Sequence, residues 1–221
     1  MLTDVQLRTI MPALPAVTLE LLLPYLQSAT TEFAIDYPAR EAAFIAQLAH
    51  ESGQLRFMEE IWGPTEAQKR YEPPSTLATK LGNTEKGDGK RFKGRGPLQI
   101  TGRANYQRYG ELLSLDLVVD PPRAAAPEVG FRTAGLYWQK NGLNELADRA
   151  TPEAFREITK RINGGLNGLR DREKFYATAR TVLAVVTPPL SGPESVPPVP
   201  PLPFQRGFEA IRADTRRRRA R

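Results

Sequence analysis

Three acidic residues, Glu51, Glu59 and Glu60, stand close together in FIAQLAHESGQLRFMEEIW, residues 44–62. Two carboxyl groups facing one another are the simplest apparatus for general acid–base work on an acetal: one gives a proton to the leaving oxygen, and the other attacks or activates water. Phe44, Leu48 and Glu51 fall at i, i+4 and i+7, so on a helix Glu51 continues an apolar face. A carboxyl at the rim of a core loses solvation, which favours its protonated form and suits it to act as an acid. Glu60 lies nine positions further on. On one continuous helix it would sit about 13.5 Å along the axis and on the opposite side. A facing pair therefore requires the chain to stop near Ser52-Gly53 and return in extended form. In an extended segment Glu59 and Glu60 point to opposite sides, and spacing alone does not choose between them.

Helical signals surround this stretch. Thr3 and Gln6 form a capping-box pattern before Val5, Leu7 and Ile10. A second helix is predicted over about 19–33, with Pro24 near its start or at a break, and a third from Pro38 to about His50. Residues 63–74 read as loop, followed by a short helix capped by Ser75 and closed at Gly82. The segment GNTEKGDGKRFKGRGPLQITG is too rich in glycine for a helix and reads as loop with short strand pieces. Thr101 is placed to cap a helix running to about Leu113. Further helices are predicted from Pro127 to Gly142, from Thr151 to the stop at Asn163-Gly164-Gly165, and from Arg170 to about Val186. Trp138, at helical spacing with Phe131, Ala134 and Tyr137, reads as core. Composition then changes: eight of the seventeen residues from Thr187 to Pro203 are proline, the signature of a semi-rigid spacer. The predicted organisation is a helical domain over 1–186, a linker over 187–203 and a basic tail over 204–221.

Composition excludes several chemistries. There is no cysteine and only one histidine, His50, so thiol catalysis and cysteine- or multi-histidine-ligated metal are absent, and a Ser-His-Asp triad is disfavoured. No cofactor and no metal are expected. No run is apolar over the roughly 20 residues of a membrane span, and the N-terminal region lacks the pattern of a signal peptide. Synthesis in a reducing cytoplasm is expected, with any target beyond it reached by another route. The net charge is +6, but the tail holds seven arginines against Glu209 and Asp214, which leaves +1 for the rest. Nothing in the body of the chain points to nucleic acid.

The motifs AHESG, EIW, GDGKRFKGRGPLQITGRANY, RINGGLNG and DREKFY, in that order over about residues 2–186, resemble the family 19 glycoside hydrolases. The likeness is strongest to their phage and prophage endolysin branch, with plant-type chitinases more distant. The resemblance implies a mostly α, lysozyme-like, two-lobed helical domain with a substrate cleft and a small β/loop element. It makes Glu51 the general acid and Glu60, not Glu59, the general base. Thr101 then helps to hold the attacking water. Gln99, Asn105 and Asn163 line the sugar site, and Arg172 sits near the acid. Inversion is the implied outcome, with carboxyls about 6.5–9.5 Å apart. Trp62 and Tyr71 read equally as sugar platforms or as core. Plant-type enzymes carry Glu where this chain has Asn167, which removes one acidic partner for Arg172. The implied substrate is the β-1,4 glycan strand of peptidoglycan, with chitin as the alternative and a non-catalytic wall-binding module as the rival class. The implied protein is a monomer that reaches the wall in the periplasm through another protein's membrane pore. The 204–221 tail is suited to anionic outer-membrane lipid or lipopolysaccharide.

Overall fold

The computed structural model describes residues 1–186. Its elements in chain order are α1 (Asp4–Ile10), α2 (Ala16–Glu32), α3 (Pro38–Glu51), α4 (Glu66–Lys69), α5 (Thr76–Leu81), α6 (Asp88–Arg91), α7 (Arg103–Leu113), a 3₁₀ helix at Pro121–Ala125, α8 (Pro127–Lys140), α9 (Leu143–Ala147), α10 (Pro152–Asn163) and α11 (Leu169–Val182). Extended pairing among the described residues is limited to two antiparallel bridges, Glu59 with Arg95 and Arg95 with Ile100. The expected mostly α fold with a small β/loop element is therefore observed. Over the described residues the chain forms two compact units, one made of Met1–Arg56 with residues 134–186, the other of Phe57–Thr133. The predicted linker, 187–203, and tail, 204–221, lie outside the described residues.

In the first unit α1 begins with the capping box: Gln6 N–H donates to Thr3 Oγ1 at 3.3 Å, and Thr3 N–H donates to Gln6 Oε1 at 2.9 Å. Pro24 does not break α2. Its missing N–H falls where Glu20 and Pro24 are both exposed, so water can take the orphaned carbonyl. The central element is α3, which starts with Pro38 in its first turn. Every residue of α3 from Glu41 to Glu51 is buried. Burial is thus not confined to the Phe44–Leu48–Glu51 face that spacing picks out. The reason is that α3 packs on α11 and on α9, and Phe44 meets Trp138 edge-on with ring centroids 5.1 Å apart. Trp138 is a core residue, as its spacing predicts, and its indole N–H donates to Asn144 Oδ1 at 2.9 Å. Side chains of this size contribute about 1.5–3 kcal/mol each when fully buried. The last helix ends at Val182, not Val186.

The second unit is built from short helices around a tight loop. Sequence periodicity misses α4, which is only four residues long, together with α6, the 3₁₀ helix and, in the first unit, α9. A segment of one turn shows no repeat for a periodicity argument to detect. One turn of helix, α6, forms inside the glycine-rich segment because the Asp88 carboxylate accepts the N–H groups of Thr84 and Glu85 and a paired contact from Arg103. The cap of α7 is Gly102, not Thr101; the Thr101 hydroxyl instead donates to the Gln99 carbonyl at 3.0 Å. Between α6 and α7 the chain folds on itself: Arg95 and Ile100 exchange backbone hydrogen bonds of 3.1 and 2.9 Å, while Glu60 N–H donates to Gly94 O and Gly96 N–H to Met58 O, both at 2.8 Å. The segment carrying Glu59 and Glu60 is thereby held extended against residues 94–96.

Candidate active site

Extended backbone separates the two neighbouring acids of the second unit. Glu59 turns outward, with its side chain 42% exposed, and pairs with Arg95 at 2.8 Å and Lys93 at 3.3 Å. Glu60 turns inward and exposes none of its surface. Its Oε2 accepts the Gly94 N–H at 2.9 Å, its Oε1 accepts Gln68 Nε2 at 3.0 Å, and the Tyr71 hydroxyl also donates to it. Burial pushes the Glu60 pKa above the usual carboxylate value, against the opposing pull of the Gly94 N–H, Gln68, Lys93 and Tyr71. The Tyr71 phenol is pushed up in turn, first by its own burial and then by Glu60.

Two features fix these partners. Gln68 belongs to a second capping box, in which Thr65 accepts from Gln68 N–H and Thr65 N–H donates to Gln68 Oε1 at 2.8 Å. That box orients the amide so that its NH₂ faces Glu60 and the Ile61 carbonyl. The Thr65–Gln68 spacing is visible in the sequence, yet Gln68 was not among the expected site residues. A Cβ at Gly94 would lie 2.5 Å from Gln99 Oε1, so any side chain there would displace the Gln99 amide.

Around Gly94 the structure assembles three of the expected residues. Gln99 adopts φ +56° and donates from Nε2 to Gly96 O at 2.8 Å. Its Oε1 is buried and accepts no hydrogen bond from the protein. Thr101 is 1% exposed, and Asn105 Nδ2 donates to the Thr101 carbonyl at 2.8 Å. Tyr71 is buried and lies 6.2 Å from Trp62 by ring centroid, tilted. Its hydroxyl bond to Glu60 makes it a partner of the carboxylate, not an open platform for a sugar.

In the first unit Glu51, the last residue of α3, is buried and paired with Nη2 of Arg172 on α11. Arg172 is 1% exposed, and its guanidinium is held at two further corners, by Gln47 Oε1 and by the Asn167 carbonyl at 3.3 Å from Nε. Asn163, which ends α10, donates from Nδ2 to the same Asn167 carbonyl at 3.3 Å. His50 Nδ1 lies 2.7 Å from Asp171 Oδ2. The pairs His50–Asp171 and Glu51–Arg172 therefore form two successive rungs between α3 and α11. Gln47 is a second residue that the sequence reading overlooked; its signal is a polar residue one turn before Glu51 in an otherwise apolar run.

Chemically, a desolvated carboxylate such as Glu60 is a stronger proton acceptor than an exposed one. Glu51 is a carboxyl whose position is set by a fixed cation. Among the described residues no group of three or more His, Cys, Asp or Glu side chains is arranged to hold a metal ion. No helix among them is long and apolar enough to cross a membrane.

Comparison with known proteins bears on the family and the fold. The family described as chitinase class I, glycoside hydrolase family 19, matches residues 29–150. A glycosyl hydrolase family 19 domain-containing protein of Haemophilus influenzae is 33% identical over 161 residues, 62% of this chain and 76% of that protein. An endochitinase of Arabidopsis thaliana is 40% identical over 125 residues, 56% of this chain but only 39% of the plant protein. Among solved structures, chitinase C from Streptomyces griseus superposes with a TM-score of 0.63 at 24% identity, covering 85% of this chain and 78% of the other, a likeness of fold. With a family match over more than half of its length, this chain belongs to glycoside hydrolase family 19 and is a glycosidase.

Proposed function

We propose that this protein hydrolyses the β-1,4 glycan strand of bacterial peptidoglycan with inversion, as an endolysin, with Glu51 as general acid and Glu60 as general base. The observation that carries the proposal is Glu60: a fully buried carboxylate with a raised pKa, held by a backbone N–H, an amide and a phenol. Burying a charge so completely is costly, and a base poised above the ordinary carboxylate range is what the cost provides. In this mechanism Glu51 gives its proton to the glycosidic oxygen as the bond to the anomeric carbon breaks. Glu60 takes a proton from the water that forms the new bond to that carbon. The Thr101 hydroxyl spends its proton on Gln99 O, which leaves its lone pairs to accept from that water. The unpaired Gln99 Oε1 suits a sugar hydroxyl or an acetamido N–H. Asn105 and Asn163 are each assigned to sugar binding, and Arg172 to holding Glu51.

Peptidoglycan is preferred on the likeness of GRGPLQITGRANY and its neighbouring motifs to the endolysin branch. A second reading, hydrolysis of chitin, is favoured by the likeness to the Arabidopsis endochitinase. Incubation with purified sacculi and, separately, with chitin hexasaccharide, followed by mass spectrometry of the products, decides between them. Reducing-end fragments from sacculi support the proposal. Fragments from the hexasaccharide alone replace it with the chitinase reading, and anhydro-sugar ends would rule out hydrolysis. Glu51→Gln should lower kcat by about 10²–10⁴-fold with an unchanged circular dichroism spectrum.

A further inference from the structure

A buried arginine with a single carboxylate partner needs something else to fix its plane. Arg172 presents five N–H donors in a rigid fork. One corner meets Glu51, and the other two meet neutral acceptors, Gln47 Oε1 and the Asn167 carbonyl. Gln47 is wholly buried on α3, one turn before Glu51. Its amide is oriented by Thr159 on α10. The Thr159 hydroxyl donates to Phe155 O at 3.0 Å, so towards Gln47 it can only accept, and Gln47 Nε2 donates to it at 2.9 Å. With NH₂ committed to Thr159, the amide oxygen faces Arg172. The chain Phe155 O–Thr159–Gln47–Arg172–Glu51 thus transmits the rigidity of α10 to the carboxyl.

We infer that Gln47 is a positioning residue for the reaction: it sets the Arg172 guanidinium against Glu51 and, being neutral, leaves Glu51 as the only carboxylate among the described residues that the guanidinium serves. The inference rests on Glu51 being the general acid. The charged and titratable groups around Glu51 in this unit are Arg172 on α11, His50 beside it on α3 with Asp171 as partner, and Tyr137 on α8 with Arg161 near it. Among the described residues Glu51 is the carboxylate paired with the Arg172 fork, so a carboxylate introduced at position 47 would compete for it.

Two variants test this on whichever substrate, sacculi or chitin hexasaccharide, the wild type cleaves. Gln47→Glu keeps the size of the side chain and adds a competing negative charge. The alkaline limb of the kcat profile is expected to move to higher pH by about half a unit or more, with the acid limb in place. Gln47→Met keeps the bulk and removes the acceptor. It is expected to lower kcat about tenfold or more with KM within about twofold, since orientation and not ground-state binding is lost. A folded Gln47→Glu with an unmoved alkaline limb overturns the inference. If that variant does not fold, Gln47→Met decides, and wild-type kcat or a parallel rise in KM overturns it. Failure of both to fold would make Gln47 a structural residue and equally end the inference. An active Glu51→Gln sinks the acid assignment itself, whereas an inactive Glu51→Gln beside an unmoved limb removes only the role of Gln47.

Discussion

For Glu60 the proposed role of base and the cost of burial reside in the same carboxylate. Its pKa is raised by burial, so the stability associated with its protonated form is fully present below the ordinary carboxylate value of about 4.3 and is lost as pH rises through the raised folded value. Glu60→Gln does not titrate. The variant should therefore gain stability relative to wild type as pH rises through that window, measured by denaturant melts between about pH 4 and 8, while kcat falls by about 10²–10⁴-fold. A stability difference independent of pH would contradict the desolvated state of Glu60. For wild type, the acid limb of the activity profile should lie above the ordinary carboxylate range, because Glu60 as the proposed base works only when ionised. Tyr71 sharpens this point. Its hydroxyl donates to Glu60 and is one of several groups that hold the carboxylate ionised. Tyr71→Phe should move the acid limb further up, by about half a unit, with little change in KM. A large KM change with a fixed limb would return Tyr71 to the role of sugar platform.

The contact between α3 and α11 leaves little tolerance. Gly168, just before α11, has φ +70°, and a Cβ there would lie 2.3 Å from His50 Cε1. Gly168→Ala therefore imposes both backbone strain and displacement of the ring that pairs with Asp171. It should cost about 1–3 kcal/mol in chemical denaturation and lower activity by disturbing the neighbouring Glu51–Arg172 rung. Stability and rate equal to wild type would mean that the His50–Asp171 rung is slack. The capping boxes show the other side of local sequence. Thr3–Gln6 was legible and is present. Thr65–Gln68 follows the same rule, but it is embedded in a region read as loop, and its consequence, an amide aimed at Glu60, depends on where residues 60–63 run. Thr101 shows the opposite case: a good cap by type and position whose hydroxyl is taken by Gln99, leaving Gly102 at the helix end.

For the molecule as a whole, charge is segregated: nearly all of the net +6 falls in 204–221, beyond a proline-rich spacer. We propose that this tail engages anionic lipid or lipopolysaccharide and brings the catalytic domain to a wall that lies beneath an outer membrane. Deleting residues 187–221 should reduce lysis of intact cells several-fold more than lysis of cells stripped of their outer membrane. Equal losses, or none, on both would remove the tail from the mechanism. The same truncation should leave cleavage of purified sacculi within about twofold of the full chain, because the candidate site residues all lie in 1–186.

The sequence by itself determined the helical class, most helix starts, the core position of Trp138, the absence of thiol chemistry and the family. Each of these depends on residue type and near spacing, and GRGPLQITGRANY is long enough to be specific. It also required the chain to turn before Glu60. Only the tertiary structure decided which environment each carboxyl occupies. Glu59 and Glu60 are chemically identical neighbours, and what separates them is the Gly94 N–H that Glu60 receives from 34 positions away. Glu51 likewise owes its partner to Arg172, 121 positions on. The orienting amides Gln47 and Gln68 were missed for the same reason. Solvation and hydrogen-bond partnership are set by groups that meet in space, whereas periodicity reports only which side of an element a residue occupies.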